Sequence, residues 1–131
     1  MTMTFPLLTR THVHSLDFGT DIIAGLAYHG CTSIPFNGLE KRVADAFPQF
    51  LQQMTEDELK VDFRIILHPI YQDSPVLRRA LAHPVSCGLA VYNYDRIHLN
   101  LHKTDTETIF RTLPGDSTIW INLAKNILDG K

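Results

Sequence analysis

The sequence predicts one α+β domain spanning residues 1–131. It should hold a four-stranded mixed sheet, with a β-hairpin in its C-terminal half and helices packed mainly on one face. Three observations lead there. Stretches of period-two alternation are interleaved with stretches whose apolar residues recur every three or four positions. The helical stretches open on capping residues and close near glycine or proline. The 131 residues, 44 % apolar and 20 % charged, suffice for one core and are too few for two.

Residues 9–16, TRTHVHSL, alternate as a first strand. A short helix follows, with Thr20 as N-cap, Ile22, Ile23, Leu26 and Ala27 as its stripe, and Gly30 just past its end. Asn37 and Glu40 have capping-box spacing ahead of the clearest amphipathic pattern, Leu39, Val43, Phe47, Phe50, Leu51 and Met54. Pro48 interrupts it, by a kink or by starting a second helix. Thr55 and Glu58 are spaced to cap one further turn. Residues 61–68, VDFRIILH, end in three consecutive aliphatics, the pattern of a central strand buried on both sides.

Ser74-Pro75 reads as an N-cap with proline at the first helical position, opening a helix that should stop near His83-Pro84. Residues 86–93 and 96–103 then form the hairpin, joined around Tyr94-Asp95. Thr104 and Glu107 are placed to cap a helix carrying Ile109, Phe110 and Leu113. Gly115-Asp116-Ser117 opens the last helix, striped by Ile119, Trp120, Leu123, Ala124, Ile127 and Leu128 and ended by Gly130. Phe47, Leu51, Phe63, Ile65, Leu99, Leu101, Trp120 and Leu123 should share one core.

Composition excludes several function classes. Twelve basic against fourteen acidic residues give a net charge of −2, so no basic footprint for nucleic acid is expected. No apolar run approaches the roughly 18–20 residues that span a bilayer, so no membrane partner is expected. The opening MTMTFPLLTR lacks the basic and apolar regions of a secretion signal, and two cysteines are too few for a disulfide framework. Cytoplasmic residence with free thiols is the resulting expectation. Phosphate-binding and dinucleotide-binding glycine loops are absent from the sequence, and no cofactor is expected.

Seven histidines carry most of the candidate chemistry. His12 and His14 share one strand face, while His98, Asn100 and His102 share another, opposite Ile97, Leu99 and Leu101. Were the two strands neighbours, these five residues would line a ligand-binding surface. His98 and His102, about 13 Å apart along a strand, cannot share one ion. With no HExxH, CxxC or carboxylate cluster, no metal is expected; if one binds, its ligands are His12, His14 and one of His98 or His102. The plainer reading is a solvent-facing strand. In the hairpin, a two-residue turn sets Val91 opposite His98, Leu89 opposite Asn100 and Cys87 opposite His102. Cys87 and His102 are therefore candidates for a nucleophile and its base, against the commoner alternative of an inert thiol.

The functional expectation is a small protein-binding module: an accessory subunit, inhibitor or immunity-type protein whose partner is another protein. Tyr92, Tyr94 and Arg96 at the hairpin tip are the anchor types such surfaces favour. The sequence leaves homo-oligomerisation open. The alternative is a small hydrolase or metal-assisted enzyme working from the histidine face.

Overall fold

A computed structural model describes residues 12–35, 38–93 and 95–129. Five helices and two small sheets alternate along the chain: β1 (His12–Val13), α1 (Ser15–Tyr28), β2 (Ser33–Pro35), α2 (Leu39–Glu56), β3 (Lys60–Val61), α3 (Pro75–Ser86), β4 (Ala90–Asn93), β5 (Arg96–Leu99), α4 (Lys103–Phe110) and α5 (Ser117–Asp129). The α+β class holds. The single four-stranded sheet does not: β1 pairs β3 in parallel, and β2, β5 and β4 form a separate antiparallel sheet in that order.

Helix α1 organises the core, packing against α3, α4 and α5, while α2 packs against α5. It starts five residues before the expected Thr20, because Phe18 extends the Ile22–Leu26 row by one turn. Phe18 is fully buried, its ring centroid 4.9 Å from Phe63, 5.4 Å from Phe50, 5.7 Å from Phe47 and 5.9 Å from Trp120. One turn of α1 runs so close to α3 that a Cβ at Gly19 would fall on the Ala80 carbonyl. Gly30 terminates the helix as expected: it sits at φ +84°, its N–H bonds Ala27 and the next N–H bonds Leu26, the pattern of a Schellman cap.

Helix α2 runs unbroken through Pro48, so no second helix begins there. Its N-cap is Gly38, and Asn37 lies outside the described residues. Glu40 does not close a box on its own helix. Its buried carboxylate reaches α3, accepting from the Ser74 N–H at 2.7 Å and the Arg78 guanidinium at 3.2 Å. Thr55 and Glu58 form the helix exit rather than another start. Thr55 Oγ donates back to the Leu51 carbonyl, and Glu58, at φ +62°, occupies the left-handed position that Gly30 holds in α1.

Residues 61–68 are the largest departure from expectation. Among the described residues only Lys60–Val61 of this stretch pairs, and 62–68 has no neighbouring strand. The alternation survives as burial: Ile65 is buried, Phe63 and Leu67 are half-buried, and Arg64, Ile66 and His68 are exposed. Ser74 caps α3 as expected, its Oγ accepting from the Leu77 N–H. That helix continues through Pro84 to Ser86, so the hairpin's first strand starts at Ala90 rather than Ser86.

The hairpin register is the expected one, Val91 opposite His98. The strand β2, too short to signal itself in the sequence, covers the other edge of β5 with Ile34 opposite Ile97. Helix α4 is capped two residues earlier than expected, the His102 N–H donating to Asp105 Oδ2 at 2.9 Å. Asp116 caps α5 through the Thr118 N–H, and Gly130 lies outside the described residues. Of the eight expected core residues, Phe47, Ile65, Trp120 and Leu123 are buried, and Leu51, Phe63, Leu99 and Leu101 pack against the cluster from its margin. No helix among the described residues is long and apolar enough to cross a membrane.

Candidate functional site

The expected histidine surface divides in two, because its strands belong to different sheets. His98 lies mid-strand in β5, between Ser33 and Val91. Asn100 Nδ2 donates to the Gly88 carbonyl at 3.2 Å, tying the hairpin to the end of α3. His102 is the N-cap of α4. None of the three belongs to the group that His12 and His14 form.

His12 and His14 meet a residue that the sequence reading did not single out. In the β1–β3 register His12 lies opposite Lys60 and Val13 opposite Val61, and one step further brings His14 level with Asp62. Side chains on a parallel pair alternate together, so Val13 and Val61 turn inward while both imidazoles and the carboxylate turn out. His14 Nδ1 lies 3.2 Å from Asp62 Oδ2 in a hydrogen bond. His12 Nε2 lies 3.0 Å from the same oxygen, yet without hydrogen-bond geometry, and that nitrogen is shielded from solvent. The rings stand 4.0 Å apart. Among the described residues this is the one group of three His, Cys, Asp or Glu donors within 4.8 Å of one another. Asp62, the second residue of what reads as a buried strand, gave no signal, since the parallel pairing that brings it here joins residues far apart in sequence.

The expected Cys87–His102 pair is not formed. Cys87 is the C-cap of α3 rather than a strand residue, and its Sγ lies 3.9 Å from His83 Nε2 one turn back. That end of a helix carries the negative pole of its dipole, opposite to where thiolates are stabilised. Cys31 is half-buried, its thiol donating to the Ser33 carbonyl, and burial raises its pKa. Neither cysteine is in a disulfide.

Of the three hairpin-tip residues, Tyr94 lies outside the described residues. The Arg96 guanidinium is turned back onto Ser33 Oγ at 2.9 and 3.2 Å. Tyr92 is exposed on one side; partial burial raises its phenol's pKa, while the neighbouring Arg78 opposes the shift. Arg78 also reaches Asp73 at 3.6 Å, so it links the hairpin to the end of the unpaired segment.

That segment presents the most exposed large apolar side chains among the described residues. Ile66 is 73 %, Ile70 78 % and Tyr71 74 % exposed. The backbone beneath them is held in place. His68 Nδ1 accepts from both the Ile70 and Tyr71 N–H groups, at 3.1 and 3.2 Å. The His68 N–H donates to Asp73 and its carbonyl accepts from Gln72, which sits at φ +56°. Single exposed apolar residues are ordinary on a protein surface; three within six positions on a hydrogen-bonded frame form a patch. The sequence hid this because Ile65, Ile66 and Leu67 read as a buried run. No known protein family, curated protein or solved structure matches the chain.

Proposed function

We propose that this protein is a small protein-binding module that recognises a partner protein through Ile66, Ile70 and Tyr71, with Tyr92 joined to that surface across Arg78. The observation that carries the reading is the ordered turn around His68, which displays three large apolar side chains without burying them. Ordering a loop before binding removes part of the entropy that association otherwise costs, and buried Tyr anchors are among the strongest contributors at interfaces. Cationic Arg64 stands exposed two residues before Ile66. The partner surface is therefore an apolar pocket with an acidic rim.

The test places a photo-crosslinking residue at position 70 and, for comparison, at exposed position 125 on α5. One discrete hetero-adduct should form from position 70 only. With that partner purified, Tyr71→Ala should weaken binding by about 1–2 kcal/mol or more while the far-UV spectrum stays unchanged. Equal adducts from both positions, an adduct with a second copy of the chain, or unchanged affinity in Tyr71→Ala would each overturn the reading.

A further inference from the structure

We infer that His12, His14 and Asp62 form a binding site for a borderline divalent transition-metal ion of the zinc class, and that the ion clasps β1 to β3. Two atoms bound to one tetrahedral zinc at about 2.0–2.2 Å lie about 3.4 Å apart. The separations from Asp62 Oδ2, 3.0 Å to His12 Nε2 and 3.2 Å to His14 Nδ1, are close to that spacing before any adjustment. Two imidazole nitrogens with one carboxylate oxygen make a donor set suited to zinc, cobalt(II) or nickel rather than to magnesium or calcium.

The hydrogen bonding points the same way. A carboxylate oxygen between two imidazoles satisfies His14, but leaves His12 Nε2 close by, shielded and without a hydrogen bond. A shielded ring nitrogen in that state calls for a partner, and an ion at the shared point gives one to all three groups at once. His14 and Asp62 are partly exposed, so water completes the coordination. Lys60, opposite His12 in the ladder, is exposed and supplies no ligand atom.

The described part of the parallel ladder is two residue pairs, a weak attachment by itself. His14 is also the residue from which α1 starts, so the ion would fix the chain's entry into the helix at the centre of the core. This role is independent of the apolar patch around His68.

The full-length chain, stripped with chelator, is titrated with Zn²⁺ by calorimetry and with Co²⁺ by visible absorption. One equivalent should bind. His14→Ala and Asp62→Asn should each weaken affinity by more than about 100-fold, since even outer-shell partners of metal ligands cost about 10–100-fold. Lys60→Ala should bind at least as well as wild type. Far-UV spectra separate lost ligation from lost folding. If a variant fails to fold, zinc-induced NMR shifts in the wild type replace it, and these should fall on the His12 and His14 rings and spare the other five imidazoles. The absence of stoichiometric binding, its survival in Asp62→Asn, or shifts centred on other histidines would overturn the inference.

Discussion

Helix α1 buries Phe18, Ile22, Ile23 and Leu26 almost completely, whereas residues 62–74 leave Ile66, Ile70 and Tyr71 in solvent. Both stretches are rich in large apolar side chains. They differ in where their backbone hydrogen bonds go. A helix pairs the N–H and C=O groups of its middle turns internally, so those turns of α1 can be inserted among α3, α4 and α5 without stranding backbone polar groups. Among the described residues no strand lies beside 62–68, and along that stretch only alternate side chains reach the core. Burial in this protein is decided by hydrogen-bonding partners as much as by hydrophobicity.

The sharpest way to break the comparison is to push α1 out of its place. At Gly19 an added methyl would fall on the Ala80 carbonyl of α3, so the backbone of a helix rather than a flexible side chain would have to give way. Gly19→Ala should lower stability by about 3 kcal/mol or more, although glycine to alanine inside a free helix gains about 1 kcal/mol. Gly25→Ala should cost much less, because its nearest neighbour is the Ala124 methyl at 3.0 Å. Urea midpoints for the two variants measure the difference. Equal midpoints would mean that α1 and α3 can separate without loss.

Helical periodicity was readable because each stripe reports one helix by itself. Ile119, Trp120, Leu123, Ala124 and Ile127 needed no knowledge of their partner to be placed inside. The hairpin register was readable too, since its turn fixes it locally. Sheet membership was not, because pairing is a property of two distant segments. Period-two alternation at Phe63, Ile65 and Leu67 reports one-sided burial, and the sequence cannot say whether a ladder accompanies it. For the same reason His12 and His14 were readable as a pair and their contact with Asp62 was not.

Glu40 tests the junction between the helices and the open segment. Its carboxylate holds the Ser74 N–H, which ends that segment and starts α3, and it also pairs with Arg78. Glu40→Ala would leave a buried N–H without an acceptor, and should cost about 2–3 kcal/mol in urea melts. Glu40→Gln keeps an acceptor oxygen and should recover part of that loss. A fully stable Glu40→Ala would show that Ser74 finds another acceptor.

A smaller effect of opposite sign is expected where α2 gives way to the segment. Glu58 holds at φ +62° the position that Gly30 and Gly88 fill at the ends of α1 and α3. Only glycine adopts that conformation without strain, and a carboxylate there also faces the negative end of the helix dipole. Glu58→Gly should stabilise the protein by about 1 kcal/mol. Glu58→Gln removes the charge alone and should give a smaller gain. If Glu58→Gly lowers the thermal midpoint, the side chain makes a contact worth more than the strain.

The least disruptive change isolates the open segment itself. His68 Nδ1 can accept from Ile70 and Tyr71 only as an unprotonated nitrogen, so the turn depends on one side chain that lies outside the core. His68→Ala should leave global stability within about 0.5 kcal/mol, as for other exposed positions. Locally the outcome differs: the Ile70 and Tyr71 amides lose their acceptor, and their hydrogen exchange should speed up by about tenfold while the amides of α1 keep their protection. Ile70→Ser, which removes apolar surface and keeps the turn, should change neither quantity. Partner binding should then fall in both variants for different reasons, through a disordered frame in one and a missing anchor in the other. If His68→Ala slowed no binding and loosened no amide, the frame would be held by the Gln72 and Asp73 backbone bonds alone, and the contrast with α1 would rest only on exposure.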